Sequence, residues 1–316
     1  MSEHPLTSHA HLTVAQSAYR SQIGVALWKV GDRGLAGFGT AAAAGLDHVQ
    51  VDLGGPNRGP DLTDVAVLAA FNTTSRRFAL PINALAINRL NDLGLTSPKG
   101  SEEALEVRRS ILQAIRVAGR LRVPKIIIPG FRQSLVRTPQ DAATTAEVLR
   151  FAAGPARAAG ISLAYESGLD AEGTLQILQA VGQPGVSVQF DTGNPAIYGH
   201  CAASLWARLA DVAAPDVHIK DAVGVSVEKS VPPGDGVAEL ELTFAAFARQ
   251  RRPRSFTLEG DYSVEPEFRI RRDLARLKTL IIRSMLPGDR DCADGAGREG
   301  ESGVPGMEGT VSASVR

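Results

Sequence analysis

The sequence predicts a single (β/α)8 barrel, and three observations carry that prediction. Short apolar or β-branched runs alternate with longer stretches of helical period, the order a parallel α/β architecture requires. Eight such runs fit between residues 21 and 287, the usual size of a closed barrel. No G-x-G-x-x-G or G-x-x-x-x-G-K-[ST] follows the first run, so the phosphate-cradling loop of the doubly wound nucleotide-binding sheets is missing.

The runs lie at 23–28, 48–53, 78–82, 125–128, 161–165, 186–190, 216–219 and 256–258. Several, such as IIIP and VSVQF, are apolar almost throughout, which suits strands covered on both faces. Between them, Leu105, Leu112, Ile115 and Ala118 form an apolar stripe behind Ser101 as N-cap. Ile270, Leu274, Leu277 and Ile281 form a second stripe, spaced by four, three and four. The stretches 40–46 and 141–159 read as helices stopped at Gly45 and Gly160. Helix signals before the sixth run and after the seventh are weaker. The longest connection, from 82 to 125, begins NALAINRLNDLGLTSPKG and offers enough chain for a lid over the barrel mouth.

Outside the barrel, residues 1–20 lack both a basic start and an apolar core, so they read as a disordered leader and not as a secretory signal. Residues 288–316 are rich in Gly, Ser, Asp and Glu, cannot bury enough surface to offset their ordering entropy, and read as a disordered tail. Lys+Arg and Asp+Glu both number 34, so no positive field exists to gather nucleic acid or an anionic membrane. No apolar run reaches membrane-spanning length. Cys201 and Cys292 form no C-x-x-C pair, which argues against a disulfide framework or a zinc-thiolate site and fits a reducing cytoplasm.

Catalytic groups in a barrel sit at the carboxyl ends of the strands, where the βα loops converge. The last four runs each close on a metal-competent side chain: Glu166 after LAY, Asp191 after VQF, His218 after DV and Glu259 after TL. Alone, Glu166 reads as well as a helix cap, Asp191 as the start of an Asx-turn, His218 as a packed core histidine and Glu259 as a surface acid. Independent caps would rarely fall in the same register on four successive strands. Three carboxylates and one imidazole make an oxygen-rich donor set suited to Mn²⁺, Mg²⁺, Co²⁺ or Fe²⁺ more than to structural zinc.

The order ESG, FDTGNP, VHIKD, PPGDG and LEGDY resembles the xylose isomerase-like barrel superfamily of sugar-phosphate isomerases and epimerases, most specifically in the second half of the chain. The resemblance implies that Glu166, Asp191, His218 and Glu259 bind one divalent cation, with Mn²⁺ expected and Mg²⁺, Co²⁺, Fe²⁺ or Zn²⁺ as alternatives. It implies a small polyhydroxy carbonyl substrate, with Glu166 and Glu259 as the catalytic pair that moves a proton through an enediolate. Lys220, Asn194 and Trp28 are expected to touch the substrate. Lys220 reads equally as a salt-bridge partner of Asp221, and Trp28 equally as core. Asn194 stands where several ketose epimerases of this family carry a histidine. The PPGDG turn, 232–236, reads as a tight turn or a ligand-facing loop.

Three other functions share the pattern. A dehydratase would use the same cation and enediolate but expel water. An apurinic-site endonuclease would need further histidine ligands and a basic surface, whereas three of the six histidines, His4, His9 and His11, fall in the leader. A non-catalytic barrel would bind a ligand or protein without turnover. A homo-oligomer is compatible with the sequence, which carries no signal for it.

Overall fold

The computed structural model describes residues 21–285 apart from residue 32; the leader and tail readings lie outside the described residues. Eight parallel strands close into a barrel: β1 (Gln22–Ala26), β2 (His48–Asp52), β3 (Ile82–Ala86), β4 (Lys125–Gly130), β5 (Ser162–Ser167), β6 (Val186–Asp191), β7 (Ala213–Ile219) and, after an inserted hairpin, β10 (Ser255–Leu258). The ring runs β1-β10-β7-β6-β5-β4-β3-β2. The hairpin pairs β8 (Asp221–Gly224) with β9 (Val227–Val231) in antiparallel fashion.

The helices are α1 (Ala36–Ala43), α2 (Val65–Arg77), α3 (Leu90–Leu93), α4 (Glu102–Leu121), α5 (Pro139–Ala158), α6 (Ala171–Val181), α7 (Gly193–Ile197), α8 (Ala202–Leu209), α9 (Leu240–Arg249) and α10 (Pro266–Met285). Their starts follow local chemistry. Ser101 accepts from the Ala104 N–H, and Thr138 with Asp141 forms a full capping box ahead of Pro139. Gly45 and Gly160, both at positive φ, follow α1 and α5 as expected. All four residues of the Ile270 stripe are buried. The α4 stripe is set differently from the sequence reading: Val107, Ile111, Ala114, Ile115 and Ala118 are buried while Leu105 is 56% exposed. Those five residues share one face of the helix, and Leu105 falls on the opposite face.

The structure corrects four elements. The third strand is β3 at Ile82–Ala86, not 78–82, because 78–81 is the exit of α2: Phe78 caps the helix, Ala79 is left-handed at φ 53°, and the Leu80 N–H closes on Ser75 O. The segment read as a lid begins with that strand. It continues through α3 into a loop held down by buried Leu90 and Leu95 and by the Leu95 N–H donated to Ser134 Oγ at 2.8 Å. The first strand ends at Ala26, and Leu27–Lys29 forms a 3-10 turn, which places Trp28 over the mouth. The connection after β7 contains the β8–β9 hairpin before its helix.

Strand alternation sends one set of side chains outward and the other into the barrel. Val25, Val49, Val51, Leu85, Ile126, Ile128, Leu163, Tyr165, Val188, Phe190, Val217, Ile219, Phe256 and Leu258 belong to the large apolar core shared with the helices. The inward positions divide. Ala84, Ala86 and Ile127 form a small separate apolar cluster with Trp28 packed against it. Elsewhere the interior is polar: His48, Gln50, Lys125, Gln189, Asp216 and Thr257 are all buried. Gly24 makes room for one of them, since a Cβ there would collide with the His48 ring.

Candidate metal centre

The polar interior builds upward to the site. At its base, Lys125 Nζ lies 3.0 Å from Asp216 Oδ2 and donates to Gln189 Oε1 at 2.7 Å. Burial alone would raise the Asp216 pKa, but Lys125, with smaller help from His48 and His218, outweighs it and holds the carboxyl down to about 2. His48 is pushed the other way by burial and stays neutral at pH 7, so its 3.8 Å approach to Asp216 is not an ion pair.

Asp216 then orients Gln50. The Gln50 amide nitrogen donates to Asp216 Oδ2 at 2.6 Å and to Thr257 Oγ1 at 3.0 Å. A carboxylate only accepts, so this fixes which end of the amide faces it, and Gln50 Oε1 is left 2.8 Å from His218 Nε2. His218 Nε2 must therefore carry a proton, and Nδ1 is the nitrogen turned to the mouth.

There the four strand-end residues meet. Glu166 on β5, Asp191 on β6, His218 on β7 and Glu259 just past β10 are all buried, and each offers one donor atom within 4.8 Å of the others. His218 Nδ1 lies 3.5 Å from Glu166 Oε1 and 3.3 Å from Glu259 Oε2. Burial would lower the His218 pKa, but the Glu259 and Glu166 carboxylates outweigh it and raise it to about 10. Asp191 is raised to about 7 by burial, with Lys220 opposing and Glu259 and Glu166 adding to the rise. Burial also works against the Glu259 carboxylate, but Lys220 and His218 hold its pKa well below the usual range.

Each ligand candidate is held from outside the cluster. Asp191 Oδ1 accepts from the N–H groups of Gly193 and Asn194 at 2.7 and 2.6 Å, so the Asx-type turn is present, and it leaves Oδ2 for the cluster. Asn194 donates Nδ2 to Glu166 Oε1 at 2.9 Å, and Trp28 donates its indole N–H to Glu259 Oε1 at 2.9 Å. Lys220 donates to Asn194 Oδ1 at 2.6 Å and stands 3.8 Å from Glu259 Oε2 and 4.0 Å from Asp191 Oδ2. Asp221, the alternative partner the sequence offers for Lys220, is engaged elsewhere. Asp221 accepts the backbone N–H groups of Ala222, Gly234, Gly236 and Ala238, which makes the PPGDG segment a structural turn. A Cβ at Gly236 would collide with that carboxylate.

The donor set fits a cation. Asp191 Oδ2, His218 Nδ1 and Glu259 Oε2 are buried and lack a hydrogen-bond partner among the described residues. Buried polar atoms are nearly always paired, and three such atoms converging on one point are what a divalent ion would satisfy. Above them opens a cavity of about 280 Å³ whose lining includes Trp28, Asp52, Asn88, Glu166, Asn194, Lys220 and Glu259.

Sequence reasoning missed Gln50, Asp216 and Lys125, and for the first two the signal was there to read. HVQVD, DVHIK and VQFD place polar residues two apart inside apolar runs, the spacing of an inward face. It also missed the cavity's cations Lys29, Arg33, Arg58 and Arg132, which stand on loops and follow no period.

Comparison with known proteins places the fold and the family. The chain is 32% identical over 264 residues to 2-epi-5-epi-valiolone 7-phosphate 2-epimerase of Actinoplanes sp., covering 83% of this chain and 96% of that enzyme. Among solved structures it resembles L-ribulose 3-epimerase, with a TM-score of 0.68, 16% identity, and 84% and 96% of the two chains covered. It also resembles the IOLI protein with a bound zinc atom, with a TM-score of 0.70, 13% identity, and 83% and 99% covered. The family model described as xylose isomerase-like TIM barrel matches residues 38–280. With its closed barrel and this match over most of its length, the chain belongs to the xylose isomerase-like TIM barrel family.

Proposed function

We propose that the protein is a divalent-metal-dependent epimerase or isomerase acting on a small polyhydroxy ketone, a sugar or cyclitol or its phosphate. The observation that carries this reading is the meeting of Glu166, Asp191, His218 and Glu259 at the floor of an open cavity, with three buried donor atoms unpartnered. The epimerase activity of the Actinoplanes relative supports it and favours proton transfer over dehydration. Among the described residues no further cluster of metal ligands accompanies this one, which gives no support to a multi-metal nuclease.

When bound, a divalent cation, with Mn²⁺ the expected ion, supplies Lewis-acid polarisation of a carbonyl and its neighbouring hydroxyl, lowering the barrier to enediolate formation. Glu166 and Glu259 are the proton carriers. Asn194 holds one oxygen of Glu166 and Trp28 one oxygen of Glu259, so each glutamate presents its other oxygen in a fixed direction. One accepts the proton from the substrate carbon, and the other returns a proton to the opposite face. Lys220 and Asn194, with the Trp28 ring, border the space the substrate would fill and orient its hydroxyls.

The test is deuterium exchange. Mn²⁺-loaded protein incubated in deuterium oxide with a panel of ketoses, keto-cyclitols and their phosphates is expected to label the carbon beside the carbonyl of one member without loss of water mass. Absence of exchange across the panel, or exchange that survives Glu166→Gln and Glu259→Gln together, refutes the reading.

A further inference from the structure

The charges around the mouth are unevenly divided. The metal-competent acids occupy the arc formed by β5, β6, β7 and β10, which are neighbours in the ring. Lys220 stands among those acids, and the four other cations of the lining lie on the other arc: Lys29 and Arg33 follow β1, Arg58 follows β2 and Arg132 follows β4. Neither Lys29 nor Arg33 has an ion-pair partner among the described residues, and Arg58 and Arg132 share one carboxylate, Asp92. Arg58 reaches Asp92 through Nε and Nη2, and its Nη1 has no hydrogen-bond partner among the described residues. The Arg33 stem lies against Gly59, so the Arg33 and Arg58 loops abut. Asn91, in the same lining, accepts the Phe131 N–H through its oxygen and keeps its amide nitrogen for another partner. The opposing acids of this arc are Asp52, whose carboxyl burial pushes up to about 6, and Glu228 from β9.

We propose that this cationic arc is a phosphate-monoester subsite, so that the substrate is a phosphorylated polyhydroxy carbonyl compound whose phosphate lies among Lys29, Arg33, Arg58 and Arg132 while its carbonyl end faces the acidic cluster. The proposal rests on the epimerase or isomerase reading of that cluster. Guanidinium forks from separate loops converge on one space, which matches an anion with three outward oxygens; a carboxylate would be satisfied by a single fork. A cavity of about 280 Å³ suits a small molecule with its two ends in the two arcs.

Calorimetric titration of the full-length, Mn²⁺-loaded protein with glycerol 3-phosphate, glycerate and glycerol tests the proposal, each variant also being titrated with Mn²⁺ alone. Glycerol 3-phosphate is expected to bind at least about tenfold more tightly than glycerate or glycerol. That affinity is expected to fall about tenfold in Arg33→Ala and again in Arg33→Ala/Arg58→Ala, with Mn²⁺ affinity unchanged. Arg120→Ala, a loss of one exposed charge outside the cavity, is expected to leave it intact. Equal binding of the three probes overturns the proposal, as does ester affinity indifferent to Arg33 and Arg58 or equally sensitive to Arg120. If the wild type fails to bind Mn²⁺, the metal reading fails separately, and the same comparison in metal-free protein still decides the subsite.

Discussion

The two arcs of the barrel mouth are built on different principles. The β5–β7 and β10 arc places its functional groups on the strands themselves or one residue past them, at positions set by sheet register: Asp191 pairs with His218 across β6 and β7, and Pro129 with Glu166 across β4 and β5. The β1–β4 arc places its charges on loops, where Lys29 ends a 3-10 turn and Arg58 sits in the Gly-rich segment 54–60. Rigid strands hold chemistry to a fraction of an ångström, while loops adapt to a ligand's outer groups. On the function and the subsite proposed above, the difference separates reaction from recognition, and that division can be broken experimentally.

The largest effect is expected on the strand-borne arc. Glu166→Gln or Glu259→Gln should lower turnover by roughly a thousandfold, read by the deuterium-exchange rate on the identified substrate. A similar loss from Arg33→Ala would break the division.

Next is the pH dependence of metal affinity. Binding must displace the proton of His218, whose pKa is raised to about 10, and below about 7 that of Asp191 as well. Both groups bind protons more readily than their ordinary values, so competition grows as pH falls. Mn²⁺ affinity is expected to drop about tenfold per pH unit from 9 to 7 and about a hundredfold per unit below 7. A flat profile from 9 to 6 would contradict the shared cluster.

Gln50→Leu removes the acceptor that holds the His218 proton on Nε2. Metal affinity should fall roughly 10- to 100-fold while circular dichroism and the glycerol 3-phosphate response of the metal-free protein stay unchanged. An unaltered Mn²⁺ affinity would show that the ring is oriented by packing alone.

The smallest effect belongs to the loop arc. Asp92→Asn removes the carboxylate shared by Arg58 and Arg132 at a partly exposed site, so stability should change by no more than about 1 kcal/mol. The freed guanidiniums should strengthen glycerol 3-phosphate binding a few-fold; weaker binding would mean that Asp92 holds them in place.

Legibility in the sequence follows the same division. The eight-strand order and the inward register of Glu166, Asp191, His218 and Glu259 could be read because strand periodicity is local: a polar residue closing an apolar run must lie at the strand end whatever surrounds it. The third strand was misplaced because FAL looks like a strand start, yet the exit geometry of α2 and Pro81 decided otherwise. Lys220 reads in the sequence either as a substrate contact or as a salt-bridge partner of Asp221; tertiary structure gives Asp221 to the PPGDG turn and Lys220 to Asn194.

By itself, then, the chain's pattern determined the barrel, the order of its strands and which four side chains close its last four. Only closure of the sheet decided that Gln50 and Asp216, 166 residues apart, would set the proton on His218, and that loops after β1, β2 and β4 would gather their cations opposite the acids. Period and register act over a few bonds of backbone geometry, whereas these partnerships depend on which distant segments the ring brings side by side.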